Sequence, residues 1–596
     1  MRMELLMGNE AIALGALAAG VHVVTGYPGT PSTEVLETVA RRRPEGVYVE
    51  WSVNEKAALE VAVGAALSGA RAMVTMKQVG LNACSDPLMS LNYLGVAGGA
   101  LVLLVADDPG PISSQTEQDT RHFGRYARIP VFDPQTPEQA YRMAQDALHF
   151  SARWGRPVIL RPTTRVCHSC ASIEVDPPAA LPPAKGFVKD EKWVIFPRLT
   201  REAKERLVAQ EAVLSRELSG YAQNRLYGRG KLGVALGGVA AAYAREAGLD
   251  ARYLEITTPY PFPAELALSF LREVDEVLVL EELDPVIEDA LNRLCGDHQL
   301  PVRVLGKHTG HAPVAGELSV EIAERAMRAF LGLEAKEPPA AQPGLDLPAR
   351  PPVLCAGCPH RGSFYAVKQV MKGQSAVFCG DIGCYTLGNA APLNMVDTCL
   401  CMGAGVTMAQ GIARMEKGTT VFAFIGDSTF FHTGIPGVVN AIYNGADEVI
   451  VVLDNSTTAM TGRQPHPGTG ETMMGEKRPP ISIPHVLEGL GVPVWRASAF
   501  DLAAAKEAVS QAVAHGGCVR AVVLEGPCAS LVKGAKPLTV DREACLGCRR
   551  CVRELGCPAL SMREGKAQID AALCNGCSLC QQVCPANCLK GGEGHA

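Results

Sequence analysis

Aromatic residues make up only 5% of the 596 positions, and Asp, Glu, Lys and Arg together 20%. There is no basic excess: 56 Lys and Arg against 62 Asp and Glu give a formal net charge of −6, which offers no footprint for nucleic acid. No apolar run is long enough to span a bilayer. The stretch AIALGALAAGVHVV is preceded by Glu4, Asn9 and Glu10 and runs into the turn at Tyr27-Pro28-Gly29, so it reads as helix then strand, not as a signal peptide. Gly237-Gly238 follows a strand, but a full G-x-G-x-x-G is missing, which excludes a dinucleotide site there. What remains is 47% hydrophobic and rich in Gly and Ala, as in packed α/β proteins, with length for roughly four domains.

Cysteine is abundant instead: 21 residues, nine of them between Cys545 and Cys588. The odd count and the length exclude a secreted disulfide scaffold, and clustered thiols in a reducing, cytoplasmic setting mean metal. The tail, 541–592, reads Cys545-x₂-Cys548-x₂-Cys551-x₅-Cys557-Pro and then Cys574-x₂-Cys577-x₂-Cys580-x₃-Cys584-Pro. This is the spacing of a two-cluster bacterial ferredoxin, in which the fourth cysteine of each repeat ligates the other cluster. Cys545, Cys548, Cys551 and Cys584 are therefore expected to hold one [4Fe–4S] cluster, and Cys557, Cys574, Cys577 and Cys580 the second. The first repeat carries two extra residues before Cys557, and Cys588 is left over. Zinc ribbons are the alternative, but two triplet-plus-Cys-Pro units rarely serve zinc.

The segment Val421 to Gly462 reads as strand, acidic turn, helix, strand, polar turn. VFAFI and EVIVVL are continuous apolar runs of the kind buried in parallel sheets, and Ile435 to Asn444 has helical spacing. In such a sheet the Gly426-Asp427-Ser428 turn and Asn455 share the carboxyl edge, where ligands bind. Asp427 and Asn455 are hard oxygen donors suited to Mg²⁺.

Strands alternating with helices recur from the N-terminus. VHVVTG, GVYVEWS, RAMVTMK, ALVLLVAD and RPVILRP are strands of a parallel sheet. Asn54 is placed to cap the helix that starts at Glu55, where a carboxylate is favoured by the helix dipole. DPPAALPPAKG is an extended proline-rich linker, and the charged amphipathic run after it is a packing helix.

The Gly-Asp-Ser turn followed by Asn resembles the thiamine diphosphate motif of 2-oxoacid-processing enzymes. CAGCPHRGSF and DNSTTAMTGRQPHPG further resemble the indolepyruvate branch of the 2-oxoacid:ferredoxin oxidoreductases. The resemblance covers nearly the whole chain. It implies a multi-domain α/β protein: a pyrimidine-type thiamine domain (1–175), a linker and helix (176–226), a small α/β domain (227–335) and a linker (336–350). A diphosphate-binding thiamine domain (351–535) and the ferredoxin-like module then follow. By the same resemblance Gly426, Asp427, Ser428, Asn455 and the carbonyl of Thr457 bind Mg²⁺ and the diphosphate. Glu55 hydrogen-bonds N1′ of the aminopyrimidine, and Thr30, in Tyr-Pro-Gly-Thr-Pro-Ser, contacts the substrate carboxylate. Cys355, Cys358, Cys384 and Cys528 form a third, proximal cluster, against which zinc or buried free thiols are the open alternatives.

The polar run Ser113 to Arg125, with Arg121 to pair a carboxylate, is either a second site lining or a solvated loop. Met402, Met460 and Phe364 read as core. The implied activity is oxidative decarboxylation of aryl 2-oxoacids with coenzyme A, reducing ferredoxin, in complex with a smaller beta subunit. A non-redox thiamine decarboxylase or synthase with structural clusters, and an electron-carrying subunit with a relict thiamine fold, are the alternatives.

Overall fold

The apolar runs become buried strands, and in the computed structural model of the chain they build three open, mainly parallel sheets. The structure describes residues 2–96, 98–336, 347, 350–532 and 536–591. The expected linker at 336–350 lies outside these residues except for Lys336, Leu347 and Arg350. Contacts divide the chain into two units, Met1–Pro343 and Gly344–Ala596.

The first unit holds a six-stranded parallel sheet in the order Tyr48–Trp51, Val23–Gly26, Arg71–Lys77, Ala100–Ala106, Val158–Leu160, Val131–Phe132. Ala100–Ala106 is buried along its whole length, as its unbroken apolar sequence requires. A second sheet runs Arg303–Leu305, Glu276–Leu280, Leu232–Gly237, Arg252–Ile256, Arg225–Gly228, with only the last strand antiparallel. That edge strand and the N-terminal strand Arg2–Met7, antiparallel to Cys170–Val175, are elements without a sequence expectation. Arg2–Met7 keeps only Leu6 buried, so no apolar run announces it. The charged run expected as a helix is Pro197–Ser219, which buries Ala203, Leu207, Leu214 and Leu218.

The second unit holds a five-stranded parallel sheet in the order Ala376–Cys379, Thr420–Gly426, Glu448–Asp454, Val519–Glu525, Val494–Ser498. Apolar cores cover both faces. The helix after the Gly-Asp-Ser segment begins at Asp427, not at the expected Ile435. Asp427–Thr429 is helical, Phe430–Gly434 is a wide π turn, and Ile435–Tyr443 continues. Pro436 has no N–H to give the turn before it, and the π turn absorbs the missing bond.

The tail is two copies of one small unit. Helices Arg550–Leu555 and Leu579–Val583 each follow a residue in the left-handed region, Arg549 (φ 64°) and Ser578 (φ 65°). The two extra residues of the first repeat lie in the longer helix and in Gly556 (φ 61°), which ends it in a left-handed cap.

Candidate functional site

At the carboxyl edge of the five-stranded sheet, Gly426 pairs with Leu453, which brings Asp427 alongside Asp454 and Asn455. Gly426 is required there, because a Cβ would meet the Tyr385 ring at 2.5 Å. Asp427 is buried, and its carboxylate accepts from Ser428 N at 2.8 Å and from Asn455 N at 3.2 Å. His466 Nε2 lies 3.1 Å from Asp427 Oδ2. Burial works to raise the Asp427 carboxyl, but the His466 hydrogen bond and charge outweigh it and leave it below its ordinary value. Asp454 goes the other way, pushed up to about 7 by burial and by the Asp427 charge. Asn455 Oδ1 accepts from Thr457 N at 3.2 Å, in a turn where Ser456 has φ 61°. Thr458 Oγ1 donates to Ser428 Oγ at 2.9 Å, tying the two expected halves of the site together.

The other side of Asn455 is held by His360 of the CAGCPH segment, with Nε2 3.1 Å from Asn455 Nδ2. Burial pushes His360 down to about 4, so its ring is neutral and Nε2 is free to accept from the amide. That hydrogen bond turns Asn455 Oδ1 away from His360 and toward the Thr457 side of the turn. A carboxylate, an amide oxygen and a backbone carbonyl in one polar turn suit a hard divalent cation carrying a diphosphate. Sequence reading missed His360 and His466, although both stand in the quoted segments.

Cys358 caps helix Pro359–Val370, and its N–H donates to Cys355 O at 3.2 Å. Burial pushes Cys358 up to about 12, and the neighbouring Cys355 and Cys384 thiols act in the same direction. Burial likewise raises Cys384 to about 11, with Cys528 and Cys355 as its thiol neighbours. Cys384 thus lies within electrostatic reach of Cys355, Cys358 and Cys528, and Cys528 N donates to Asn455 O at 3.0 Å beside the Asp427 site.

In the tail, Cys557, Cys574, Cys577 and Cys580 all line one apolar pocket. This donor set fits an iron–sulfur cube. The thiols acting on Cys551 are Cys584, Cys548 and Cys545, which is the other expected set. The leftover Cys588 is buried, with Sγ 3.4 Å from Cys584 Sγ.

In the first unit, Thr30 and Glu55 stand at the carboxyl edge of the six-stranded sheet. Asn54 Oδ1 accepts from Ala57 N at 2.8 Å as the expected cap, and Glu55 is buried behind it. Gly80 leaves room for the Glu55 carboxylate, since a Cβ there would lie 2.6 Å from Oε1. Lys77 ends the neighbouring strand. Burial pulls its ammonium below the usual range, against the opposing charges of Glu55 and Asp108. Asp108 Oδ2 accepts from Ser113 N and Ser114 N at 2.7 Å, and Ser113 Oγ reaches Thr30 O at 3.4 Å. The Ser113 loop is thus folded over Thr30. Lys77 and Asp108 were not singled out from sequence; their only signal is a charge directly at the end of an apolar strand.

Arg121 corrects the expectation set for it. It is buried, not solvated, and its guanidinium is consumed within the chain. Arg121 Nη1 bonds Glu281 Oε2 at 2.6 Å, and Nε and Nη2 bond Asp119 at 2.9 and 2.5 Å. It joins the two sheets of the first unit, with Nη2 also donating to the carbonyls of Glu282 and Asp284 at 2.8 Å. Phe364 is core, edge-on to Phe424 at 4.8 Å, as expected. Met460 is 48% exposed and is not core.

No helix among the described residues is long and apolar enough to cross a membrane. Three family patterns match the chain. "Pyruvate flavodoxin/ferredoxin oxidoreductase, thiamine diP-bdg" covers residues 14–192, "Thiamine pyrophosphate enzyme, C-terminal TPP binding domain" covers 381–523, and "4Fe-4S binding domain" covers 567–590. The last spans the second tail repeat. The indolepyruvate oxidoreductase subunit IorA of Methanothermobacter thermautotrophicus is 41% identical over 98% of this chain and 97% of its own. That of Archaeoglobus fulgidus is 39% identical over the same shares. The 2-oxoglutarate synthase subunit KorA of A. fulgidus is 26% identical over 50% of this chain and 92% of its own. With thiamine-binding domains at both ends of the catalytic body and iron–sulfur ligands after them, the chain belongs to the IorA family, as a thiamine diphosphate-dependent 2-oxoacid oxidoreductase subunit.

Proposed function

We propose that this subunit oxidatively decarboxylates aryl 2-oxoacids of the indolepyruvate type with coenzyme A, giving aryl-acetyl-CoA, carbon dioxide and reduced ferredoxin. The observation that carries the redox half of this reading is the tail, where Cys557, Cys574, Cys577 and Cys580 line one pocket and residues 567–590 match a 4Fe-4S binding domain. A non-redox decarboxylase has no use for such an arrangement. The substrate class is supported by the indolepyruvate oxidoreductase subunits that match along almost the whole chain.

Bound thiamine diphosphate supplies the electron sink for loss of carbon dioxide, and iron–sulfur clusters supply one-electron carriers. The residues have separate tasks. Asp427, Asn455 and the Thr457 carbonyl hold Mg²⁺, with Gly426 and Ser428 against the diphosphate. His360 and His466 orient Asn455 and Asp427 from behind. Glu55 holds the proton at N1′ of the aminopyrimidine, and Thr30 hydrogen-bonds the substrate carboxylate. Cys545, Cys548, Cys551 and Cys584 hold one tail cluster, and Cys557, Cys574, Cys577 and Cys580 the other. Cys355, Cys358, Cys384 and Cys528 hold a proximal one. The domain limits set out from sequence go with this reading, as do a smaller beta subunit, ferredoxin as acceptor and a cytoplasmic location.

The test is anaerobic viologen or ferredoxin reduction by the complex with its small subunit, across a panel of 2-oxoacids, with and without coenzyme A. Indolepyruvate should give the fastest coenzyme-dependent reduction. Carbon dioxide release with no acceptor reduction would overturn the redox assignment, and a preference for 2-oxoglutarate or pyruvate would overturn the substrate class.

A further inference from the structure

The CAGC loop and the tail are clamped together by one buried cation. Arg361 lies in the first turn of helix Pro359–Val370 and is 3% exposed. Its Nη1 donates to Leu555 O, two residues before Cys557, and its Nη2 donates to Leu354 O at 2.7 Å, one residue before Cys355. A third, longer bond of 3.4 Å reaches Cys355 O. Arg361 also lines the pocket shared by Cys557, Cys574, Cys577 and Cys580. Ala356 and Gly357 share that wall, and a Cβ on Gly357 would overlap the Asn575 amide at 1.9 Å, so the CAGC and CNGC loops are in direct contact.

Arg361 Nε is different from the other donors. It is buried and has no hydrogen-bond partner among the described residues. A buried N–H without an acceptor is costly, and native structures rarely leave one so. The four thiols on the same wall would bring sulfur acceptors beside it. The charge points the same way, since Arg361 lowers the pKa of both Cys577 and Cys358 against the dominant effect of burial.

We propose that Arg361 is a positioning and potential-setting residue: it fixes the CAGC loop on the tail and stabilises the reduced form of the cluster held by Cys557, Cys574, Cys577 and Cys580. Reduction adds one electron to that cluster and makes or breaks no covalent bond. The added negative charge forms in a low-dielectric wall, where a fixed cation and a donated hydrogen bond lower its energy. The inference rests on the reading that the tail binds two clusters.

The experiment is a dye-mediated redox titration of the anaerobically isolated complex, followed by electron paramagnetic resonance. Cys548→Ser and Cys574→Ser variants assign the signals of the two tail clusters. Iron content of the wild type comes first, and a tail without both clusters overturns the two-cluster reading itself. With both clusters present, Arg361→Gln should lower the reduced-to-oxidised ratio of the Cys574-set cluster about tenfold at the wild-type midpoint, equivalent to about 59 mV for one electron. Arg361→Lys should keep the wild-type midpoint, and the Cys548-set signal should not move. An unchanged midpoint in Arg361→Gln, an equal shift in both variants, or a matching shift of the Cys548-set cluster would overturn the inference. Where Arg361→Gln fails to assemble the cluster, Arg361→Lys decides: a wild-type midpoint supports the role and a tenfold change overturns it.

Discussion

Replacing Glu448 by glutamine should make the second unit more stable at alkaline pH and leave it unchanged in acid. Glu448 opens the strand Glu448–Asp454, is 0% exposed, and has no hydrogen-bond partner on either oxygen among the described residues. Burial pushes its carboxyl from 4.5 up to about 8, with the Arg520 charge only partly opposing it. Arg520 is itself bonded to Asp447, Ala512 O and Cys518 O, so it is not available to form a close pair. The folded chain therefore keeps the Glu448 proton between pH 4.5 and about 8, where the unfolded chain has released it. Below that window both states are protonated and the group has no effect. Within it, stability falls by about 1.4 kcal/mol per pH unit, reaching a deficit of about 5 kcal/mol at the top. A glutamine side chain cannot ionise and fills nearly the same volume, so Glu448→Gln removes the deficit. Thermal unfolding of the two proteins in parallel should agree within about 1 kcal/mol near pH 5. Near pH 8 the variant should melt higher by about 10 °C. A melting difference that does not change with pH, or a variant less stable at pH 8, would refute the reasoning.

Three further outcomes follow from the geometry. Gly80→Ala places a methyl 2.6 Å from Glu55 Oε1 and should cut oxoacid-dependent viologen reduction about 100-fold with cofactor content intact; unaltered turnover would separate Glu55 from the chemistry. Glu55→Gln should keep its cofactor and iron yet lose carbon dioxide release, measured with labelled substrate. Arg121→Met leaves Asp119 and Glu281 buried without their cation and should destabilise the first unit by about 3–5 kcal/mol in denaturant unfolding. The double change Arg121→Met with Asp119→Asn should recover part of that loss.

What sequence made legible was what lies close along the chain. VFAFI and EVIVVL are buried on both faces and read as strands because nothing polar interrupts them, and the Gly-Asp-Ser and Asp-Asn turns sit at their ends by sheet geometry alone. The tail thiols were legible for the same reason, since three of each four ligands lie within seven residues. The x₅ spacing is explained only by the structure, because a count of residues does not show that Gly556 can take φ 61° and close the longer helix. The residues that escaped are those whose partner comes from far along the chain. His360 meets Asn455 across 95 positions, Arg121 meets Glu281 across 160, and Arg361 meets Leu555 across 194. A lone arginine after CAGCPH, or inside a polar run, has the same appearance whether it is solvated or locked in a wall. Only the fold decides, because the low dielectric that makes such a charge consequential exists only once the two segments have come together.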